Sequence, residues 1–322
     1  MKKYFYIIII TLIPIIGWSQ QTPQFSQRMI DVYQYNPAYT GSKLHTEFMW
    51  HNRNQWKGFE GAPKTSSFTF HTRLNRLMGL GVSFYKDEIG IQKTVGLKLA
   101  YAHHIEMDRF NLSFGLSGDI LQYGIDGNSI TIKETSDNAI NLEVFDKKWR
   151  PDATFGIFLF SKSFYLGFSM LNMLGSTVKL FNEQGKDANI DLVRHYYVNA
   201  GFSFSPIRNF DFDPSILFVM ARGTPMQIDL NMNVQYLSKL LVGVSYRVKD
   251  AIVIVAGVKI KDRLKMAYSY DIVTSPLRTY NSGSHEIILS FVIPGKRGKW
   301  NRWKHEYQFD YNPKTNKWRE RW

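Results

Sequence analysis

Cysteine is absent from the 322 residues of the sequence. Its absence excludes a disulfide framework, a thiolate nucleophile, a soft metal site and a lipid anchor on an N-terminal cysteine. Beyond residue 20, no run approaches the roughly 18 consecutive apolar residues of a membrane helix. The motifs G-x-S-x-G, H-E-x-x-H and the phosphate-binding loop are also missing. The sequence therefore predicts neither a helical membrane protein nor an enzyme, and it indicates no cofactor.

The first residues have the order of a secretory signal peptide. Two lysines precede the largely apolar run Tyr4–Ile16, and small residues follow at Gly17 and Ser19. We predict a signal peptide over residues 1–19, with cleavage after Ser19; cleavage one residue later stays open.

Strand signals dominate the rest of the chain. In Gln227–Tyr236, apolar side chains alternate strictly with polar ones, which predicts a strand with one apolar and one polar face. The same alternation recurs along the chain, with mostly small residues, Asn and Lys on the second face. Weaker candidates bring the total to about 14 strands. The clearest apolar faces begin at Leu80, Val95, Leu112, Phe164, Tyr196, Val242, Ile252, Leu264 and Ile287.

The predicted connections alternate between short and long. Every second one is a short turn, from the connection near Arg73 to the one at Lys261, whereas others span Leu121 to Asp152 and Leu171 to Arg194. Short turns on one side and long loops on the other are typical of outer-membrane barrels. We therefore predict an all-β fold: a transmembrane up-and-down antiparallel barrel with long extracellular loops and short periplasmic turns.

A soluble β-protein is the alternative. A soluble sandwich would bury its large apolar residues in one core and would not need apolar faces on so many strands. In a bilayer the strands must close on themselves, with apolar side chains outside and small or polar ones in the lumen. The aromatic content of 15% fits girdles at the membrane interfaces.

The polar faces predict a set of lumen residues. They fit either a polar pathway or a plugged lumen whose charges pair with one another, and the many small lumen positions leave room for loops or an N-terminal segment inside. His103 and His104 do not predict a metal site, since neighbours on a strand point to opposite faces. For the same reason Ser284-His285-Glu286 does not predict a hydrolase relay. The predicted lumen residues are Lys98, Asp229, Asn231, Asn233, Gln235, Arg247 and Lys259.

The C-terminal residues 295–322 carry much of the formal net charge of +13 and four of the eight tryptophans. They fit either a solvated basic extension or a periplasmic docking peptide, because Trp, Tyr and Arg are favoured anchors at protein interfaces. Nucleic acid is not expected as a partner of an exported chain. The predicted tail contacts are Trp300, Arg302, Trp303, Trp318 and Trp322.

Several motifs together resemble the PorP/SprF family of type IX secretion outer-membrane proteins, over about Gln24 to Ile293. The resemblance ends at Pro294, so it does not extend to the tail. Its motifs are Gln24-Phe25-Ser26-Gln27, Asn36-Pro37-Ala38-Tyr39, Asn54-Gln55-Trp56-x-Gly58, Gly61-Ala62-Pro63-x-Thr65, Asp87-x-x-Gly90, Leu112-x-Phe114-Gly115-Leu116, Tyr246-Arg247 with Asp250, Tyr268-x-Tyr270-Asp271 and Gly283-Ser284-His285-Glu286-Ile287.

The resemblance implies a barrel of the type IX secretion and gliding machinery that binds, exports or anchors a large secreted adhesin through its C-terminal secretion domain. It also implies contacts with other secretion components at the periplasmic face. Outer-membrane lipid or lipopolysaccharide is a further expected partner. The alternatives are a transporter or channel for small or hydrophobic solutes and, less favoured, an outer-membrane hydrolase.

Four segments follow: the signal peptide 1–19, a periplasmic N-terminal lead-in 20–42 that could also enter the lumen, the barrel 43–294 and the tail 295–322. The predicted partner surface is the extracellular loops 55–63, 121–152 and 171–194. Packing of the first loop on itself is an equally open role for its motif residues. The predicted partner-binding residues are Asn54, Gln55, Trp56, Gly58, Gly61 and Pro63.

Overall fold

The structure is a computed structural model that describes residues 22–125, 147–180, 188–261, 263–294, 310–312 and 317–319. In these ranges, short 3-10 helices span Val32–Gln34, Pro37–Tyr39 and Pro276–Thr279. None of the described helices has the length and apolarity needed to cross a bilayer. The strands are β1 (His45–Asn54), β2 (Lys64–Arg73), β3 (Met78–Ile89), β4 (Gln92–Glu106), β5 (Asn111–Ile125), β6 (Lys147–Phe160), β7 (Phe164–Leu171), β8 (Thr177–Leu180), β9 (Ala188–Asp191), β10 (His195–Phe202), β11 (Phe204–Ile207), β12 (Phe210–Ala221), β13 (Gln227–Tyr236), β14 (Leu240–Arg247), β15 (Ala251–Ile260), β16 (Leu264–Val273), β17 (Ser284–Pro294), β18 (Asp310–Asn312) and β19 (Lys317–Arg319).

Fourteen of the described strands close into one antiparallel barrel. Strands β1 to β7 pair in chain order, β7 pairs with β10, β10 pairs with β12, and β12 to β17 again pair in order. The first and last barrel strands form the seam, which runs from His45 opposite Pro294 to Asn54 opposite His285. The short strand β11 continues the line of β10 and also pairs with β12. The predicted fold and strand number are confirmed.

The two ends of the barrel differ in their connections. At the short-turn end, six connections of two to four residues join β2 to β3, β4 to β5, β6 to β7, β11 to β12, β13 to β14 and β15 to β16. The long-loop end carries the connections 55–63, 126–146, 172–194 and 274–283. In outer-membrane barrels the long loops face the cell exterior, which places the short turns in the periplasm.

Two predicted loops are partly strand. Strand β5 continues to Ile125 and β6 begins at Lys147, so the connection is shorter than the predicted span from Leu121 to Asp152. The connection 172–194 contains the paired strands β8 and β9. Charged and polar residues at these strand ends hide the period-two signal, because above the membrane neither face needs to be apolar.

Side chains alternate between the two faces of the wall. In β1, His45, Glu47, Met49, His51 and Arg53 are buried in the lumen, and the residues between them are more exposed. Exposed apolar side chains cover the outer face, among them Leu99 at 57% and Val242 at 59%. This apolar outer surface is stable only in contact with lipid, since a continuous apolar surface in water would aggregate.

Residues 22–44, here called the luminal segment, run through the barrel. Near the long-loop end, Thr22 Oγ1 lies 2.9 Å from Tyr197 Oη. Near the short-turn end, the Thr40 carbonyl oxygen lies 3.0 Å from His104 Nε2, and the chain then enters β1 at His45. The described part of the predicted periplasmic lead-in is therefore enclosed by the wall over residues 22–42.

The apolar core lies inside the barrel rather than between layers. Val32, Tyr33, Tyr35, Ala38 and Tyr39 of the luminal segment are buried against apolar side chains of the wall. Burial of these large side chains stabilises the segment in place by about 1.5–3 kcal/mol for each fully buried one. The wall residues in this core are Ala100, Phe158, Leu171, Tyr197 and Leu217.

Wall glycines let Asn36–Tyr39 lie flat against the strands. A Cβ atom on Gly115 would overlap the backbone of this stretch, and one on Gly156 would overlap the Asn36 side chain. Asn36 in turn donates a hydrogen bond from Nδ2 to the Ile157 carbonyl oxygen, at 3.1 Å. The fit depends on the missing side chains, because backbone and glycine approach more closely than any Cβ allows.

Candidate functional site

Eight residues form a charged cluster between the luminal segment and the wall, close to the long-loop end. All are at most 6% exposed, so their charges have lost nearly all contact with water. Buried charges persist only when they are paired and hydrogen-bonded. The members are Ser26, Gln27, Arg28, Arg53, Asp229, Arg247, Asp271 and Glu286.

Arg53 lies at the centre of the cluster, on the first strand. Its Nη2 is 2.9 Å from Asp271 Oδ2 on β16, and its Nη1 is 3.2 Å from Glu286 Oε2 on β17. Nη1 also donates to Ser26 Oγ. One guanidinium thus joins strands β1, β16 and β17 to the luminal segment. Its planar arrangement of five N–H donors allows it to bind several acceptors at once.

The luminal segment contributes backbone donors as well. Glu286 accepts from Ser26 N at 2.6 Å and from Gln27 N at 3.2 Å. Ser26 Oγ donates to the carboxylate of Asp271 at 2.6 Å. A carboxylate that accepts backbone N–H groups is stabilised in its charged form and fixes the chain that donates them.

A second arginine extends the cluster across the lumen wall. Arg247 Nε is 3.4 Å from Asp229 Oδ1, and its Nη1 is 3.2 Å from Asp250 Oδ2. Its Nη2 donates to the Phe25 carbonyl oxygen at 3.4 Å. Arg28 of the luminal segment lies 3.7 Å from Asp229 and over the ring of Tyr197. The cluster therefore holds the segment from both sides.

The structure places the seven predicted lumen residues on the inner positions of their strands. Asp229 and Arg247 belong to the charged cluster. Asn231 accepts from Ser245 Oγ, and Gln235 donates to Asp213 at 2.8 Å. Lys98 lies on the far side of the luminal segment, with Nζ 3.4 Å from the Gln34 carbonyl oxygen. The seven residues thus line one lumen without meeting at one point.

A cavity lies between the luminal segment and strands β3 to β6. Its volume is about 70 Å³, and it is partly open to solvent. Phe25, Tyr35, Tyr85 and Leu121 give it an apolar lining, and Lys98 and Asp119 are among its polar groups. Asp119 is satisfied by Ser117 and Thr154 hydroxyls.

The first long loop is tied to its neighbours through the backbone. Lys57 N donates to the Gly283 carbonyl oxygen at 2.8 Å, and Ser282 N donates to the Lys57 carbonyl oxygen at 2.8 Å. Gly90 N likewise donates to the Gly61 carbonyl oxygen at 2.8 Å. We call the connections 55–63, 90–91 and 274–283, joined in this way, the loop platform.

The predicted partner-binding residues lie at this platform. Asn54 ends β1, Gln55 N bonds the Pro63 carbonyl oxygen at 2.9 Å, and Trp56 N bonds Ser284 Oγ at 3.1 Å. The two glycines of the motif have positive φ, which glycine adopts at little cost, with values of 96° at Gly58 and 72° at Gly61.

The motif residues hence shape the platform, while Phe59 between them is 47% exposed.

Neither His103-His104 nor Ser284-His285-Glu286 places its neighbouring side chains on one face of the wall. His104 is buried and His103 is exposed, as expected for neighbours in a strand. Ser284 and Glu286 are buried on the inner face, and His285 between them is on the other face. Within the described ranges no group of three or more His, Cys, Asp or Glu residues could hold a metal ion.

The cluster residues Arg53, Asp271, Glu286 and Ser26 were not predicted as site residues. The polar alternation of His45, Glu47, His51 and Arg53 was a usable signal, since it marks a strand whose lumen face is charged. Of the predicted tail contacts, Trp318 lies in β19, and Trp300, Arg302, Trp303 and Trp322 lie outside the described residues.

Several solved structures are distantly similar to the chain. Curated proteins give no match. Solved structures with a similar course include a FadL homologue of Pseudomonas aeruginosa, with 11% identity over 86% of this chain and 95% of that one and a TM-score of 0.44. Omp33 of Acinetobacter baumannii shares 9% identity over 78% of this chain and 99% of that one, with a TM-score of 0.46.

The toluene transporter TodX of Pseudomonas putida shares 9% identity over 86% of this chain and 94% of its own length, with a TM-score of 0.41.

The family comparison covers most of the sequence. Residues 18–291 match the family described as type IX secretion system membrane protein PorP/SprF. This range includes the luminal segment, the charged cluster and the loop platform. The expected resemblance is thus confirmed, and the fold and the family place the protein in the outer membrane. The chain belongs to the PorP/SprF family of type IX secretion membrane proteins.

Proposed function

We propose that the barrel binds and anchors a large secreted adhesin, or assists its export, by holding the adhesin's C-terminal secretion domain at the loop platform. The observation that carries this proposal is the filled lumen. The luminal segment is fixed by buried ion pairs and an apolar core, so among the described residues the platform is a broad accessible surface toward the exterior; the predicted partner loops 121–152 and 171–194 lie partly outside the described residues. On this proposal the barrel is a binding protein rather than the main export pore.

The platform has the surface chemistry of a recognition site. Tyr280 is 70% exposed, Phe59 is 47% exposed and Ile91 is 39% exposed, all on connections of the platform. Exposed aromatic and aliphatic side chains on loops that a rigid scaffold holds are typical of binding surfaces. The backbone bonds between the three connections reduce the entropy that binding would cost.

The proposal is tested by the double change Phe59→Ser and Tyr280→Ser. Tagged protein is purified from native outer membranes, and co-purifying proteins are identified and quantified by mass spectrometry. We expect a secreted protein with a type IX C-terminal domain in near-stoichiometric amount with the wild type, and at least a tenfold loss with the variant.

The control is Leu74→Ser with Leu77→Ser, which removes two exposed apolar side chains at the short-turn end (55% and 48% exposed). Equal loss with both variants, or no such partner with the wild type, would contradict the proposal.

Transport of small or hydrophobic solutes is the second candidate, and the cavity along β3 to β6 favours it. Planar-bilayer recordings of the purified protein separate the two candidates. A large steady conductance of the wild type would support transport, and a closed barrel with a bound adhesin would support anchoring.

A further inference from the structure

The cavity between the luminal segment and strands β3 to β6 is lined by a buried lysine with unused hydrogen-bond donors. Lys98 stands on the inner face of β4, lines the cavity and is 8% exposed. Its Nζ donates to the neutral Gln34 carbonyl oxygen, over a long distance of 3.4 Å, and makes no ion pair within the described ranges. An ammonium group has three donors, so two of them remain free.

Two other charged residues that line the cavity have ionisable partners at close range. Asp31 Oδ2 is 3.1 Å from His51 Nε2, and Arg28 Nη1 is 3.7 Å from Asp229 Oδ2. These contacts join the luminal segment to strands β1 and β13. They occupy the charges of Asp31 and Arg28, so neither of these residues is a counter-ion or a substitute for Lys98.

The carboxylates on the neighbouring strands accept hydrogen bonds from other groups. Asp119 lies opposite Lys98 in the register of β4 and β5, but its two oxygens accept from the Ser117 and Thr154 hydroxyls, at 2.8 and 2.7 Å. Asp152 of β6 interacts with Lys98 at longer range and accepts from two backbone N–H groups. The two carboxylates therefore lower the cost of burying the ammonium group without occupying its free donors.

The rest of the lining is mainly apolar, and the enclosed space is small. Phe25, Tyr35, Tyr85 and Leu121 contribute rings and aliphatic carbon atoms. The volume of about 70 Å³ is about half of the roughly 150 Å³ of an apolar cavity that holds benzene. The cavity therefore admits an apolar group on the order of three carbon atoms and excludes a long acyl chain. Its opening to solvent gives a small ligand access.

We propose that this cavity binds a short monocarboxylic acid, whose carboxylate accepts hydrogen bonds from Lys98 Nζ and whose alkyl group lies against the apolar lining. A buried ammonium group with free donors favours an anion, because a charge-assisted hydrogen bond offsets part of its desolvation. The apolar lining favours a carboxylate over an inorganic anion, since contact with an alkyl group removes apolar surface from water. The site is independent of adhesin binding at the loop platform.

The test uses the full-length protein in detergent, with isotopically labelled propionate as the probe at a constant chloride concentration. Binding is measured from the NMR relaxation of the probe, for the wild type and for Lys98→Met, which keeps an unbranched side chain and removes the charge. We expect the variant to bind about ten- to hundredfold more weakly, the effect of losing hydrogen bonds to a charged group. Propionamide, which is uncharged, should bind the wild type as weakly as propionate binds the variant, and propylammonium should not bind.

The control variant Lys239→Met makes the same change at an exposed lysine of the short-turn end and should bind propionate like the wild type. Heat-modifiable gel mobility shows that both variants are folded. Both should also retain the secreted partner, so a failure of this site is distinct from a failure of the loop platform. No binding to the wild type, equal affinity in Lys98→Met, or equal binding of propionamide or propylammonium would overturn the proposal.

Discussion

At the scale of single residues, the sharpest constraint is the contact between wall glycines and the Asn36–Tyr39 stretch. Gly115 faces the lumen, where an added Cβ would overlap backbone, and Gly118 on the same strand has open space at its Cβ position. The two glycines lie on the same strand but in different surroundings. Substitutions at the two positions therefore separate the effect of steric fit from that of strand propensity.

We predict that Gly115→Ala destabilises the barrel by about 1–3 kcal/mol, as overpacking does in other proteins. The luminal segment should also become sensitive to protease. Gly118→Ala should leave both properties unchanged. The heat-unfolding midpoint on gels and limited proteolysis measure the two effects, and equal behaviour of the two variants would contradict the fit.

Arg53 offers a second comparison at this scale. Arg53→Met leaves Asp271 and Glu286 without their guanidinium partner in a dry site, which should cost about 3–5 kcal/mol. Arg76→Met also removes a partner of a carboxylate, that of Glu106, but Arg76 is exposed at a turn and should change stability little. Denaturant titration of both variants in detergent measures the difference, and a similar small effect at Arg53 would argue against the charged cluster as a structural anchor.

At the scale of elements, the luminal segment is a separate part held by the wall. It contributes side chains to the apolar core and donors to the charged cluster, but no strand to the barrel. The backbone hydrogen bonds that join one barrel strand to the next do not involve it. The barrel wall therefore completes its strand pairing without the luminal segment.

We predict that deleting residues 22–41 leaves a barrel that inserts and opens a large, steady conductance in planar bilayers. Deletion of residues 295–322 serves as the control, since it removes a terminal stretch of similar length outside the 22–44 range and should leave conductance as in the wild type. A closed barrel after the first deletion would mean that other parts of the chain block the lumen.

The sequence predicts the strands of the barrel wall much better than the position of the luminal segment. The alternation in Gln227–Tyr236 involves only residues that are neighbours in the sequence, so the local sequence is sufficient to predict this strand. The position of Asn36–Tyr39 depends on Gly115 and Gly156, which are about 80 and 120 residues away. Asn-Pro favours a constrained turn, and a short 3-10 helix forms at Pro37–Tyr39, but nothing in the local sequence indicates on which side of the wall it lies.

The charged cluster is likewise only partly predictable from the sequence. Arg247 and Asp229 were predictable as lumen residues from their alternation. Arg247 lies 3.7 Å from Asp271 on β16, whereas Arg53 reaches Asp271 and Glu286 because closure of the barrel brings β1 beside β17. Ion pairs across a seam have no signal in the spacing of residues along the chain.

At the scale of the whole molecule, charge and surface are divided between the two ends. The loop platform lies toward the long-loop end, and the chain leaves β17 at Pro294 at the short-turn end, before the basic, Trp-rich tail. On the proposed function the protein meets an exported partner on one side of the membrane and other secretion components on the other, and this division would serve both contacts.

We predict that truncation after Pro294 leaves the barrel folded and weakens its association with other secretion components. Heat-modifiable gel mobility should be unchanged, and co-purification of periplasmic partners should fall. The matched control is the Phe59→Ser and Tyr280→Ser variant, which should retain those periplasmic partners. Unchanged co-purification with the truncated protein would indicate that the tail is not a docking peptide.

The seam has a consequence for biogenesis. Arg53, Glu286 and Asp271 lie on β1, β17 and β16, and Ser26 binds all three. A segment cannot cross the wall of a closed cylinder laterally, so we expect the luminal segment to dock while the first and last strands are still apart. The insertion machinery would then hold the nascent sheet open until residues 22–44 are seated, and their ion pairs would complete closure of the seam. Barrels with a mutated Ser26 or Glu286 should accordingly close more slowly on that machinery, because a segment that is present must still be seated, whereas a chain without residues 22–41 has no segment to seat.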